Sequence, residues 1–128
     1  MVFIKPTAAC GDFPPGYLAF FELFNATRYH AAHDALEIHW LPVRNGYLGN
    51  FYKGLIQLAG AFHLLHLNRT APALRLLIRS RELLASYPSP QEGLCLETLL
   101  PKFETWKIAL KNHSKPPVPF LNKPISHP

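Results

Sequence analysis

Apolar residues recur every three or four positions along most of this chain, and clusters of proline and glycine cut the repeats into helical segments. Tyr17 to Phe24 reads as a short first helix with Leu18, Phe21 and Phe24 turned inward. Asn25 to Thr27 is a turn. Arg28 to Trp40 forms a second helix, which Pro42 ends because a proline pushes the residue before it out of the helical region. Val43 to Gly49 carries Asn45-Gly46, a turn signal. Phe51 to Leu67 is the longest apolar segment. It is apolar almost all round, the mark of a helix covered on every side. Gly54 and Gly60 inside it each cost about 1 kcal/mol relative to alanine, so a neighbouring helix is expected to approach closely there.

Thr70 is placed to cap a fourth helix, with Pro72 tolerated in its first turn. Leu74, Leu77, Ile78 and Leu84 form its inward stripe, and Tyr87-Pro88 ends it. Ser89-Pro90-Gln91-Glu92 has the form of a capping box. Gly93 follows at once, however, so the fifth helix is expected to start nearer Glu97, with Pro101 in its first turn or at a kink. Its apolar side is Leu99, Leu100, Phe103, Trp106 and Leu110. No segment alternates with the period of two that strands require, and no internal repeat is visible. The fold class is therefore all-α, a compact bundle of about five helices over residues 17–112. An irregular arm, residues 1–16, precedes it, and a Pro-rich tail, residues 113–128, follows. With five prolines in KPPVPFLNKPISHP, that tail is an extended strap or a loose tail, and Phe120 and Leu121 are available to pin it.

The 128 residues are enough for one domain with its own core. Hydrophobic residues make up 48% and charged ones only 16%, below the usual share of about a quarter, which leaves apolar surface for a partner such as a second copy of the chain. No run approaches the roughly 20 apolar residues of a membrane span. The opening MVFIKPTAACGDFPP lacks the basic start and long apolar block of a signal peptide, so the cytosol is the expected location. Cys10 and Cys95 have neither C-x-x-C spacing nor a second pair, and are read as free thiols rather than zinc ligands. The net charge of +5 falls wholly in the second half, where nine basic residues from Arg69 onward face four acidic ones. Arg75, Arg79, Arg81, Lys102, Lys107, Lys111 and Lys115 read better as solvated helix faces than as a nucleic-acid surface, because no binding motif accompanies them.

The candidate chemistry lies in FNATRYHAAHDALEIHW, residues 24–40. At about 100° per residue, Tyr29, His30, His33, Leu36, Glu37 and Trp40 share an arc of roughly 100°. His33 and Glu37 are four apart, one turn above each other, so they are expected to face inward or into a groove. Asp34 lies at the arc's edge, and His39 is expected to point into solvent. The third helix offers Tyr52, Gln57, His63 and His66. Gln57 and His63 are roughly 120° apart around it, so one of the two should face His33 and Glu37. His66 reads as a helix-end residue, and His113 and His127 as exposed.

One reading is a metal site of His33, Glu37 and His63. Two imidazoles and a carboxylate suit zinc, iron or manganese with a position left for water. Hydrolysis would follow, with Asp34 as general base beside Glu37. The other reading is a structural polar network, in which Glu37 accepts from His33 or Tyr52 and Gln57 bridges to the backbone. H-x-x-x-E alone does not choose between them. No phosphate loop, dinucleotide fingerprint or nucleophile elbow is present.

Phe24-Asn25, Tyr29, Ala32-His33-Asp34, Leu36-Glu37 and Trp40 resemble the signature F-N-x-x-x-Y-x-x-A-H-E-x-L-E-x-x-W. Phe51 to Ala59, FYKGLIQLA, resembles the second signature of the same family, with Ala61 and His63 in place after it. The family is domain-of-unknown-function family 309, small helical proteins of bacteria, archaea and plastids, and the resemblance runs from about Tyr17 to Trp106. It implies an all-α fold, a cytosolic or plastid setting, and the label of a predicted metal-dependent hydrolase; it establishes no substrate, and an unknown small molecule is a partner that label leaves open. The positions it singles out are His33, Asp34, Glu37, Gln57 and His63. Asp34 departs from the pattern, which has Glu there. The competing function is a non-enzymatic interaction module, with the apolar surface forming a groove or a homo-oligomer contact.

Overall fold

Five α-helices carry the regular structure of residues 13–125, the part of the chain that the computed structural model describes. They are α1 (Pro15–Asn25), α2 (Tyr29–Trp40), α3 (Gly49–His66), α4 (Thr70–Leu84) and α5 (Leu96–Lys111), with a 3-10 turn at Leu41–Val43. Among the described residues there is no strand. Most of the expected irregular arm, with Cys10, lies outside them, as does His127.

Proline at the first helical position lets α1 start at Pro15, earlier than the apolar pattern marked. Its buried positions are Tyr17, Phe20, Phe21 and Phe24, a full helical stripe in which Tyr17 takes the place expected for Leu18. The rings of Tyr17, Phe20 and Phe21 meet edge to face at 5.1–5.3 Å. α3 is the covered helix, packed between α2 and α4, with α1 on α2 and α5 on α4.

The glycines of α3 mark the tight contact with α4. A Cβ on Gly54 would sit 2.8 Å from Leu84 Cγ, and one on Gly60 3.2 Å from Leu76 Cδ1. At the first of these crossings the buried Ser80 hydroxyl donates to the Gly54 carbonyl at 2.6 Å. That bond lets a polar residue take an inward position on α4. The stripe is consequently Ala73, Leu77, Ser80, Leu83 and Leu84. Ile78 is exposed and Leu74 only half-buried, which corrects the stripe expected from apolar residues alone.

Three helices end in the same hydrogen-bonded corner. After α1 the Arg28 N–H donates to Leu23 O and Thr27 N–H to Phe24 O; Asn68-Arg69 repeats the pair after α3, and His113-Ser114 after α5. The residue in the left-handed region is Thr27, Asn68 or His113, with φ of 63°, 59° and 57°, where glycine is commonest. Because the residue after each turn, Arg28 or Arg69, is the N-cap of the next helix, α1–α2 and α3–α4 fold back with minimal loops. Thr70 is therefore already helical and makes no side-chain cap.

Ser89 does serve as a cap, though not from a capping box at its own position. Gln91 and Leu94 pair their backbones around Glu92-Gly93, and this turn brings Ser89 Oγ to accept the Glu97 N–H at 3.0 Å, inside the first turn of α5. Pro101 lies within α5. Beyond His113 the chain runs back extended. Leu121 is buried, whereas Phe120 is exposed. The Asn25 side chain holds Leu121 from both sides, donating to its carbonyl and accepting its N–H, each at 2.8 Å. Lys123 pairs with Glu22.

Candidate functional site

α2 and α3 run antiparallel, and their ring contacts fix the register. The His30 ring meets His63 at 4.9 Å, and His39 meets Tyr52 edge to face at 4.8 Å. His30 and His39 are about 13 Å apart along α2, and Tyr52 and His63 about 16 Å apart along α3, so these contacts mark opposite ends of one interface. His39 therefore packs on Tyr52 rather than pointing freely into solvent.

Tyr29, Ala32 and Leu36 are the buried residues of α2. His33 and Glu37 flank that stripe and are half-buried, and Asp34 is exposed. The His33 side chain is 33% accessible and that of Asp34 55%, so the group sits at the surface edge of the bundle, not in its interior. His33, Asp34 and Glu37 each present a ligand atom within 4.8 Å of the others. His33 Nδ1 is 3.1 Å from Asp34 Oδ1, and His30 Nδ1 is 3.3 Å from Asp34 Oδ2. Metal–ligand bonds of about 2.0–2.2 Å put neighbouring ligand atoms roughly 3 Å apart. The His33–Asp34 spacing fits that requirement, and one imidazole with two carboxylates suits a divalent transition metal.

His63 lies on the His30 side of this group. Burial pushes its pKa below the ordinary imidazole value, and the neighbouring His30, His66 and His33 push it further, against a smaller opposing pull from Asp34. His30, Asp34, His63 and His66 line an open surface cleft with Tyr29 as one wall. His30 was expected only on the shared arc of α2, and His66 as a helix-end residue, which it is as the last residue of α3. The signal for them was spacing, because His30 is four before Asp34 and His66 three after His63.

Tyr52 and Gln57 stand apart from the cluster in their contacts. Tyr52 is buried among Tyr17, Phe51 and His39. Burial and the nearby Glu92 carboxylate push its hydroxyl up to about 12. The Gln57 Oε1 is buried without a hydrogen-bond partner among the described residues. Neither a Glu37–Tyr52 nor a Gln57–backbone hydrogen bond occurs among those residues.

Residues 17–76 match the family model described as a domain of unknown function, DUF309. Over that segment the chain is similar to the DUF309 family. It runs from α1 into α4, so it contains His33, Asp34, Glu37, Gln57 and His63 and stops short of α5 and the strap. The DUF309 match is thus shorter than the span over which the motifs resemble the family. Neither the curated proteins nor the solved structures give a match. No helix among the described residues is long and apolar enough to cross a membrane.

Proposed function

We propose that this protein is a metal-dependent hydrolase, with His33 and Glu37 as ligands of zinc, iron or manganese, His63 as a third ligand from α3, and a small molecule as substrate. The observation that supports this reading is that ligand atoms of His33, Asp34 and Glu37 lie within 4.8 Å of one another at the surface edge of α2; His63 is not one of that group and would join it from the His30 side of the cleft. A bound divalent ion would supply Lewis acidity and lower the pKa of a water near it. Asp34, exposed and flanked by His30 and His33, is the group free to accept a proton from solvent-borne substrate or water, and is the general base in this reading. Glu37 is the less exposed carboxylate, one turn from His33 on the same helix, and holds the ion in this reading. The open cleft beside the cluster gives a small substrate access.

The test is elemental analysis of protein purified without a tag or chelator. Near-stoichiometric zinc, iron or manganese is expected, lost in His33→Ala while the helical circular dichroism is kept. A chain that stays metal-free after incubation with all three ions would overturn the reading. It would leave the second one, an interaction module. That alternative draws on the apolar side chains at the end of α2 and in the following connector, where Ile38 is 74% and Tyr47 69% accessible, and it requires an oligomer or partner complex in sedimentation.

A further inference from the structure

The Pro-rich strap does not lie flat on the helices. Between it and the ends of α3, α4 and α5 is a half-enclosed cavity of about 370 Å³. This lies at the small end of the roughly 300–1,000 Å³ range of small-molecule sites. Its geometry follows from the sequence of the strap. Pro116 and Pro117 fix φ and favour a stiff extended backbone over the span before the buried Pro119, and none of the three offers an N–H that would need a partner. The strap leaves α5 at the His113 corner and is tied down farther on, where Pro119 is buried, Lys102 donates to the Phe120 carbonyl and Asn25 grips Leu121. The segment between these points is a bridge.

The chemistry of the lining is one-sided. Phe62, Leu110 and the Tyr29 ring are buried in the helices beneath, and Leu65 and Val118 add apolar surface. Among the described residues no carboxylate lines the cavity, while Lys115, His66 and His113 do. Lys115 has no ion pair with any described carboxylate. Asn68, Thr70 and Ser114 add neutral hydrogen-bonding groups to the same lining. Apolar walls with a single permanent positive charge and neutral donors match an apolar molecule with one negative charge.

We propose that this cavity binds a small apolar carboxylic acid, with its hydrocarbon part against Phe62, Leu65 and Leu110 and its carboxylate toward Lys115. The site is separate from the His33 cluster, and shares only Tyr29 and His66 with the histidine cleft. It does not depend on a bound metal or on hydrolysis.

The test titrates the full chain with octanoate, octan-1-ol and octylamine by calorimetry, at a pH where the acid and the amine are both ionised. Saturable one-site binding of octanoate is expected, with octanol about tenfold weaker or more and octylamine not bound. Lys115→Glu, at an exposed position, should weaken octanoate by about tenfold or more with an unchanged melting temperature. Leu65→Phe should fill the cavity and abolish binding. Should that variant fail to fold, the head-group series and Lys115→Glu decide the matter. Trp106 packs edge to face on Phe62 at 5.2 Å, so its fluorescence should change on binding. The inference is overturned if folded wild type does not bind octanoate, if octylamine binds as well as octanoate, or if Lys115→Glu leaves the affinity unchanged.

Discussion

Asn25 is a partly buried side chain whose amide satisfies the backbone of a residue far along the chain, Leu121, with two hydrogen bonds of 2.8 Å. Asn25→Ala removes both bonds and leaves a partly covered N–H and C=O without partners, at a cost of about 1–3 kcal/mol. The expected outcome is faster amide exchange at Leu121 together with a lower melting temperature; unchanged exchange there would show that the strap is held by other contacts. In the sequence Asn25 reads as the start of a turn and as part of the first signature. Its proper role was illegible because the partner is a backbone group, and a backbone group leaves no residue-type signal. Asp34 shows the converse. Its closeness to His30 and His33 follows from helical spacing within α2, which the sequence states outright.

At the scale of elements, Gly54 and Gly60 look alike in the sequence but differ in what a methyl group would meet. At Gly54 the Cβ would strike Leu84 near the root of a fully buried side chain, at 2.8 Å, and the carbonyl of the same residue is held by Ser80. Overpacking costs about 1–3 kcal/mol against a helix-propensity gain of about 1 kcal/mol, so Gly54→Ala is expected to destabilise. At Gly60 the obstacle is the terminal Cδ1 of the half-buried Leu76, at 3.2 Å. That atom can move, so Gly60→Ala is expected to be neutral or to stabilise by up to about 1 kcal/mol. Urea unfolding of both variants checks the pair; a lower midpoint for Gly60→Ala than for Gly54→Ala would reverse the assignment. Close approach of a neighbour at both glycines was legible in α3. The neighbour's identity, α4, and the inward turn of Ser80 in place of Ile78 were not, because they depend on which face of α4 meets the glycines.

For the whole molecule, the burial of His63, with His30, His66 and His33 beside it, gives stability a pH dependence. His63 titrates below the ordinary imidazole value of 6.5 in the folded protein. Between its folded value and 6.5 the unfolded chain therefore binds the extra proton, and stability rises with pH wherever the unfolded state binds more protons. The contribution is complete above the unfolded value and is lost as the pH falls through the window below it. Thermal unfolding between pH 5 and 8 should show this acid loss, and His63→Gln should make the curve shallower; an identical slope in the variant would assign the loss to other groups. By itself the sequence determined the all-α class, the covered third helix, the breaks after α2 and after α4 at proline and glycine, and the shared face of His33 and Glu37 with Asp34 at its edge. All of these follow from a local period of about 3.6 residues and from local backbone chemistry. Only the tertiary structure decided that this face lies at the surface edge, that His39 packs on Tyr52 while His30 meets His63, that Ser89 caps α5 through space, and that the strap spans a cavity. Helical periodicity fixes the angle between residues on one helix, but the angle, register and depth at which two helices meet are set by how whole faces pack.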